Sequence, residues 1–194
     1  MPKFTSSEKE NIRETLLLEG EKLFAKYGLK KVSVDELCKS ASIAKGSFYN
    51  FYINKEELYM DIIAKKQLEL WEELDKFTLE NSNIEPRLLI KKVFLKYIQF
   101  AEESEILKQV ESGAIDYLYR KIPQEIIEEK NSKESGYGLS FSDFGVKFRA
   151  EVNIIARALE ELFKISVNLS ETDPENKDEI MNILIEGFVI RTVY

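Results

Sequence analysis

The sequence predicts an all-α fold of about nine helices, in which a small three-helix domain precedes a larger helical body. Three helix-start signals support this class, because Ser7, Ser33 and Asn54 are each followed three residues later by Glu and then by an apolar helical face. Pro and Gly fall mostly where helices would start or stop, and no convincing alternating strand pattern occurs. We therefore predict one domain over residues 1–53 and a second over residues 54–194.

The first fifty residues divide into three short helices. The first is predicted to begin at Ser7, with Glu10 as its capping partner, and to end at Gly28 in a left-handed C-cap. The second begins at Ser33 and buries Val34, Leu37, Cys38 and Ala41. Ser42 and Ile43 form the turn, and the third helix covers residues 44–52. This order is that of a helix-turn-helix unit.

The remaining residues predict longer helices. One begins after Asn54 and continues to Glu80, and the next begins near Pro86 and continues to Glu103. Shorter helices fill residues 105–130, and residues 131–142 read as a loop. A long helix over residues 143–168 and a last helix from Pro174, capped by Asp173, complete the body.

Composition restricts the chemistry that this chain can perform. It contains no histidine and one cysteine, Cys38, so neither an intramolecular disulfide nor a His/Cys metal site is expected. Motifs for nucleophilic hydrolysis, phosphate loops and dinucleotide binding are absent from the sequence. We expect no enzyme, no metal and no cofactor. Cys38 is interpreted as a packing residue, with a redox sensor as the alternative.

Charge is unevenly distributed between the two predicted domains. The net charge is −7, yet residues 1–55 contain ten Lys or Arg and only seven Asp or Glu. A nucleic-acid partner would therefore be met by the amino-terminal part of the chain. With 44% hydrophobic residues, no apolar run of about 18 residues and no apolar signal segment, a cytoplasmic protein without membrane contact is expected.

The third helix carries the pattern that indicates DNA binding. It opens with Lys45, Gly46 and Ser47 and continues with Tyr49 and Asn50, which places cationic, small and hydroxyl groups at one end. These groups suit phosphate oxygens and base edges in a major groove. Phe48 and Tyr52, four residues apart, are predicted to face the core instead. The amide groups at the start of the second helix, which Ser33 caps, are a further phosphate candidate.

The amino-terminal region resembles the TetR family of bacterial transcriptional repressors. The resemblance covers about residues 8–60 and rests on Leu23-Phe24, Gly28, Ser33-Val34, Glu36-Leu37, the stretch 41–49 (Ala-Ser-Ile-Ala-Lys-Gly-Ser-Phe-Tyr) and the stretch 54–58 (Asn-Lys-Glu-Glu-Leu). It implies double-stranded DNA with a palindromic operator as partner, a homodimer, and a phosphate contact by Lys55. It also implies a repressor released from its operator by a small effector bound in the body.

Two residues depart from the family pattern. Ser42 stands in place of the usual turn glycine, so the turn either avoids a left-handed residue or strains one. Ala44 stands where an N-cap hydroxyl is usual, and the missing cap is expected to cost about 1 kcal/mol locally.

The last two helices predict a dimer interface. Phe148, Val152, Ile155, Leu159, Leu162 and Ser166 follow one another at spacings of helix-on-helix packing. The last helix is apolar on more than one side, which favours burial against its own domain and against a second copy. The predicted interface residues are Val152, Ile155, Leu159, Leu162, Ile180, Leu184, Gly187 and Phe188; the alternative is that both helices are intradomain core. Two paired copies would hold their third helices about 34 Å apart, which matches adjacent half-sites.

Aromatic residues of the body are candidates for an effector cavity, although ordinary core packing explains each of them as well. They are Trp71, Phe94, Tyr97, Phe100, Tyr117 and Tyr119. The sequence also permits a DNA-binding regulator controlled by a protein partner instead of a small ligand. The sequence does not specify the effector, the operator or whether the protein represses or activates transcription.

Overall fold

The computed structural model describes residues 5–108, 114–128 and 145–194. Their helices are α1 (Ser6–Tyr27), α2 (Val34–Ser40), α3 (Lys45–Phe48), α4 (Lys55–Glu80), α5 (Pro86–Glu103), α6 (Glu105–Lys108), α7 (Ala114–Lys121), α8 (Val152–Thr172) and α9 (Lys177–Thr192). Residues 124–128 are also helical. Within these ranges the only β-type pairing is an isolated antiparallel bridge between Phe148 and Val193, which confirms the all-α class.

The bounds predicted for α2, α4 and α5 are confirmed, whereas α1, α3, α8 and α9 depart from their predicted bounds. α1 begins at Ser6, one residue before its predicted start, because Thr5 and Glu8 form the capping box that was assigned to Ser7 and Glu10. α2 begins at Val34, directly after its N-cap Ser33, which forms the predicted capping box with Glu36. Gly28 has a positive φ of 79°, but its ψ of 155° is extended, so it ends α1 without a left-handed helical cap.

The later helices deviate more. α3 is a single turn, Lys45–Phe48, where a helix to residue 52 was predicted. α8 begins at Val152 rather than near residue 143, because residues 147–149 pair with the chain end: Arg149 N donates to Thr192 O and Tyr194 N to Lys147 O. The helix predicted from Pro174 begins at Lys177, after a turn. The predicted loop over 131–142 lies outside the described residues.

The chain divides into two compact units. The first contains the described residues of Met1–Gln67 and Glu105–Ser135, and the second contains those of Leu68–Ser104 and Gly136–Tyr194. The boundary in the chain therefore lies within α4, between Gln67 and Leu68, whereas the division proposed from the sequence lies between residues 53 and 54. The division proposed from the sequence separates a DNA-binding part from an effector-binding and dimerisation part, and it stays a prediction.

The first unit is built around one close helix crossing. A Cβ atom on Gly20 of α1 would lie 3.0 Å from Ile62 Cδ1 and 3.2 Å from Leu58 Cδ2, both on α4. Phe24 meets Tyr59 edge-to-face, with ring centroids 5.1 Å apart. Absence of a side chain at Gly20 thus lets α1 and α4 approach, and the crossing fixes the support on which α2 and α3 rest.

The second unit has a continuous apolar core formed by α4, α5, α8 and α9. Its buried members include Leu74, Phe94, Ile155, Leu162 and Ile185. Glu102 of α5 accepts hydrogen bonds from Ser166 Oγ of α8 and from Lys177 Nζ of α9, so one partly buried carboxylate links three helices. In the described part of the chain, no helix is both long enough and apolar enough to cross a membrane.

Candidate nucleic-acid interface

The short helix α3 is held in place by aromatic residues on one side. Phe48 and Tyr52 are 0% and 1% exposed, and their ring centroids are 5.9 Å apart. Arg13 of α1 lies over the Tyr52 ring and donates a hydrogen bond to Asp61 of α4 at 2.9 Å. The predicted core side of this helix is therefore confirmed, and it anchors α3 to α1 and α4.

The opposite side of α3 faces solvent. Tyr49 is 53% exposed, and the side chain of Lys45 is 55% exposed. Gly46 and Asn50 are exposed as well, and Ser47 is half-buried. The structure thus brings the five predicted α3 residues to one surface, which we call the α3 face (Lys45, Gly46, Ser47, Tyr49 and Asn50).

The turn before α3 contains a strained left-handed residue, Ser42, which was one of the two alternatives that the sequence left open. Ser42 has φ of +56°, a left-handed conformation that side chains other than glycine adopt at a cost. Ala44 is the N-cap residue and makes no side-chain capping bond. The amide groups at the start of α3 consequently lack the usual side-chain acceptor.

Ser33 has a local role that the sequence predicted. Its hydroxyl accepts from Glu36 N at 3.3 Å and donates to Glu36 Oε2 at 2.7 Å. The Glu36 carboxylate accepts from the Ser33 hydroxyl and also from Ser33 N at 2.8 Å, and these two hydrogen bonds hold the pKa of Glu36 below its ordinary value. The Ser33 hydroxyl is thus engaged by a carboxylate, and its contact with phosphate remains a prediction that requires exchange of this partner.

Lys55, for which the family resemblance implies a phosphate contact, binds main-chain oxygens in this structure, and its phosphate contact stays a prediction. Its ammonium donates to three backbone carbonyls, Leu29 O at 2.7 Å, Lys30 O at 3.2 Å and Val32 O at 2.6 Å. An ammonium has three N–H donors, so all of them are used inside the first unit. Here Lys55 fastens the start of α4 to the loop between α1 and α2. Sequence alone carries no signal for this role, because the three acceptors are main-chain atoms more than twenty positions away.

Two side-chain contacts that the sequence did not reveal join α7 to the start of α4. Asn54 accepts from Glu57 N at 2.8 Å, as the predicted cap, and also donates to Lys121 O at 3.0 Å. Tyr117 donates its hydroxyl to Glu56, which is buried, at 3.1 Å. The α3–α4 junction is therefore connected on one side to α1 and α2 through Lys55 and on the other to α7.

The predicted effector residues do not share one environment. Phe94 is buried in the core of the second unit, and Trp71, Tyr97 and Phe100 pack against that core as partly buried residues. Burial raises the pKa of Tyr97 to about 12. Tyr117 belongs to the first unit and contacts Glu56. Tyr119 lies outside the residues whose side chains the structure describes.

The predicted interface residues divide between core and surface. Ile155 and Leu162 are only 5% and 7% exposed within the monomer, and Leu159 and Phe188 pack against the same core. Their seam therefore serves the subunit's own core, which was the alternative interpretation. Leu184 and Gly187 are exposed, Ile180 is half-buried, and the Val152 side chain is outside the described set.

Cys38 lies in the first unit with 4% of its surface exposed. Burial raises the pKa of its thiol, so the reactive thiolate form is disfavoured. This agrees with the interpretation of Cys38 as a packing residue.

Comparison with known proteins identifies the amino-terminal region. Residues 16–62 match the model of bacterial regulatory proteins of the tetR family. An uncharacterized HTH-type transcriptional regulator from Bacillus subtilis (strain 168), YhgD, is 36% identical over 64 residues, which are 32% of this chain. The match spans only 34% of the length of that curated relative.

Solved structures share the fold over nearly the whole chain. A TetR family transcription regulator from Marinobacter aquaeolei VT8 has a TM-score of 0.60 at 15% identity, covering 97% of this chain and 99% of that one. RolR in complex with resorcinol has a TM-score of 0.61 at 16% identity, with 95% and 90% covered. SmeT, the repressor of the Stenotrophomonas maltophilia multidrug efflux pump SmeDEF, has a TM-score of 0.56 at 19% identity, with 94% and 90% covered. Residues 16–62 are therefore similar to the amino-terminal domain of bacterial regulatory proteins of the tetR family, and the chain as a whole shares the fold of these solved regulators.

Proposed function

We propose that this protein is a dimeric, sequence-specific DNA-binding transcriptional regulator, a repressor that a small-molecule effector releases from its operator. One observation carries the DNA-binding part: α3 is buried on the Phe48 and Tyr52 side and exposed along the α3 face. A helix anchored in this way can enter a major groove without disturbing the core. In this proposal Lys45 and Asn50 meet base edges or phosphate, Ser47 and Tyr49 offer hydroxyls to phosphate, and Gly46 lets the backbone approach the duplex.

Dimerisation is supported by apolar residues that the monomer leaves exposed on α8 and α9. On α9, Ile183 and Ile190 are 65% and 57% exposed, and exposed Gly187 lies between them at helical spacing. On α8, Ile154 and Ile165 are 56% and 40% exposed. We call these five residues the α8–α9 stripe. A Cβ atom on Gly187 would have no neighbour within 4 Å, which leaves room for a second helix to approach closely.

This stripe shares Gly187 with the interface proposed from sequence spacing and differs from it on α8, where Ile155 and Leu162 are buried within the monomer. The side chains of Ile155 and Leu162 face the core of the subunit. The exposed residues Ile154 and Ile165 lie on a different side of the same helix. α8 and α9 are in contact with each other, and exposed large apolar residues on adjoining helices favour an interaction surface. A second copy is the occupant that fits, because a palindromic operator requires two symmetry-related α3 faces.

Control by an effector is supported by the connections of the α3–α4 junction. α7 is hydrogen-bonded to this junction through Asn54 and Tyr117. Lys55 at the same junction is hydrogen-bonded to the loop that precedes α2. A ligand that repositions α7 or α4 would therefore change the setting of α3. RolR has been solved with resorcinol and SmeT is a repressor; we extend the corresponding control to this chain as part of the proposal. The body aromatics Trp71, Phe94, Tyr97 and Phe100 remain its candidate effector contacts.

The DNA-binding proposal is tested by selecting binding sites from a random duplex library and then measuring affinity by fluorescence anisotropy. Lys45→Ala and Tyr49→Phe are each expected to weaken binding about tenfold, equivalent to ~1.4 kcal/mol, with the melting temperature unchanged. Lys92→Ala, at an exposed lysine on α5, is the matched control and should leave affinity unchanged. Unaltered affinity in both α3 variants would refute the assigned face.

The dimer is tested by analytical ultracentrifugation. Ile183→Glu is expected to yield folded monomers, because a carboxylate in an apolar interface is left without a partner. Leu79→Glu is the matched control, since Leu79 is 63% exposed on α4 and lies outside the stripe. Ile183→Glu protein that still sediments as a dimer would place the interface elsewhere.

The effector is tested by thermal shift of the free protein against a panel of metabolites and drugs, followed by release of the selected duplex. A compound that both stabilises the protein and releases DNA supports the proposal. A panel without any hit, combined with DNA release by a copurified protein, would favour control by a protein partner.

A further inference from the structure

A carboxylate of α2, that of Asp35, lies directly beside the α3 face. Asp35, in the first turn of α2, forms an ion pair with Lys45, the first residue of α3, with Oδ2 and Nζ 3.0 Å apart. Their side chains are 69% and 55% exposed. The contact spans ten positions of sequence and connects the two helices on either side of the turn.

The ion pair between Asp35 and Lys45 contributes little to the stability of the fold. An exposed ion pair typically contributes about 0–1 kcal/mol to stability. The N-terminal cap of α2 is completed by Ser33 and Glu36 without Asp35. A carboxylate at this place therefore needs another explanation, because it lies beside the cation most suited to DNA.

The position of Asp35 constrains what Lys45 can bind. Any group that reaches Lys45 Nζ also comes close to the Asp35 carboxylate, because these atoms are within hydrogen-bond distance of each other. Phosphate oxygens are negatively charged and are repelled by a carboxylate. In the major groove the hydrogen-bond donors are the amino groups of cytosine N4 and adenine N6. The carboxylate is thus compatible with base edges that offer an amino group and incompatible with bare phosphate.

Two base pairs present an amino donor beside an acceptor, C·G with cytosine N4 and guanine O6 and A·T with adenine N6 and thymine O4; C·G fits the ion pair better, because guanine N7 offers lysine a second acceptor. Guanine O6 and N7 accept from lysine, and cytosine N4 donates to aspartate. Guanine O6 and cytosine N4 are hydrogen-bonded to each other in the base pair, so they lie about 2.9 Å apart. Lys45 Nζ and Asp35 Oδ2 are separated by 3.0 Å. A donor and an acceptor at this spacing can face the O6 and N4 atoms without opening the ion pair.

We infer that Asp35 is a specificity-determining residue that acts with Lys45 as a two-residue reader of a C·G base pair. The Lys45 ammonium donates to guanine O6 or N7, and the Asp35 carboxylate accepts from cytosine N4. The same carboxylate weakens engagement of Lys45 by phosphate on any other sequence. This inference rests on the proposed DNA-binding function.

The charge of the amino-terminal part makes such a device effective. Residues 1–55 have an excess of only three positive charges, so one carboxylate beside the leading lysine is a sizeable fraction of the local field. Removing it should increase binding to duplexes without the C·G pair, where the carboxylate meets no amino group. Discrimination, rather than affinity, is the property that Asp35 supplies.

The test compares wild type, Asp35→Ala, Asp35→Asn and the double variant Asp35→Ala with Lys45→Ala. Binding sites are selected from a random duplex library, and affinities for a selected site, for the site with its C·G pair replaced by T·A, and for a scrambled duplex are measured at several salt concentrations. Wild type is expected to require C·G at one position of each half-site, with about tenfold or greater discrimination.

Asp35→Ala is expected to lose that preference while keeping the others. Its affinity for the scrambled duplex should rise, with a salt dependence steeper by about one phosphate contact, because Lys45 becomes free to bind phosphate. The double variant should lose the added affinity. Asp35→Asn, which keeps the shape, should relax the C·G requirement without altering the melting temperature.

Retention of the C·G preference by Asp35→Ala, or unchanged affinity for the scrambled duplex, would overturn the inference and leave Asp35 as a solvated acid. Equal weakening of all duplexes together with a lower melting temperature would overturn it in favour of a structural role. Failure of the wild-type protein to select any sequence would instead refute the proposed function itself.

Discussion

Replacement of Lys55 by Met separates the two roles that this residue has been given. Methionine keeps an unbranched apolar side chain of similar length and removes the ammonium. The wild-type ammonium donates to Leu29 O, Lys30 O and Val32 O at 2.7, 3.2 and 2.6 Å. In the variant these carbonyls lose a charged donor, and those of Leu29 and Val32 lie in partly buried hydrogen bonds.

The size of the effect follows from these contacts. A hydrogen bond to a charged group contributes about 1.5–3 kcal/mol, but three bonds to one ammonium are not additive, and solvent replaces part of the loss. We therefore expect the free energy of unfolding to fall by about 2–3 kcal/mol. For a chain of this size that lowers the melting temperature by about 4–12 °C.

Circular dichroism melts and anisotropy titrations with a selected duplex decide between the roles. The structural role predicts a lower melting temperature and, below it, a salt dependence of DNA binding equal to that of wild type. Lys45→Met is the matched control and should show the reverse: an unchanged melting temperature and a weaker affinity for the selected duplex. If Lys55→Met melts like wild type but loses one phosphate contact, the assignment of Lys55 to the α1–α2 loop is refuted.

Three further predictions concern the first unit. Gly20→Val should lower the free energy of unfolding by about 2–3 kcal/mol, since overpacking typically costs 1–3 kcal/mol and a Cβ atom alone would already lie 3.0 Å from Ile62 Cδ1; a chemical-denaturation midpoint at or above that of wild type would contradict the close crossing of α1 and α4. The pKa of Glu36 is lowered by its hydrogen bonds to Ser33, so the stability it adds is present above the ordinary glutamate pKa of about 4.3 and is lost as the pH falls below it; Glu36→Gln should flatten that part of the curve of melting temperature against pH, and an unaltered curve would show that the capping carboxylate is irrelevant. Tyr117→Phe removes the hydroxyl that binds Glu56 and should shift the effector concentration needed for half-maximal DNA release by at least about threefold, as expected for a coupling energy near the lower end of the usual range; an identical release curve would exclude this contact from the coupling path.

The helix starts were largely predictable because their causes are local. The boxes of Ser33 with Glu36 and the cap of Asn54 on Glu57 join residues three positions apart, and both are present in the structure. The error at α1 arose between two competing boxes in one short stretch, where Thr5 with Glu8 prevailed over Ser7 with Glu10. The start of α8 could not be predicted from neighbouring residues. Residues 147–149 pair with the main chain at the chain end, so the helix begins only after them.

The candidate site was predictable to the extent that it depends on periodicity. Burial of Phe48 and Tyr52 and exposure of Tyr49 follow from helical spacing within a single turn. The partners of the charged groups do not follow from spacing. Pairing of Lys45 with Asp35 and of Lys55 with three carbonyls depends on how the loop and turn fold back in space.

By itself, the sequence determined the helical class, the helix-turn-helix and the side of α3 that is anchored, since these depend on contacts among near neighbours in the chain. The tertiary structure decided which side of α8 and α9 is core. Both sides of these helices carry apolar residues at helical spacing, so periodicity permits either to be buried. Only packing against α4 and α5 places Ile155 and Leu162 inside and leaves Ile154, Ile183 and Ile190 for a partner.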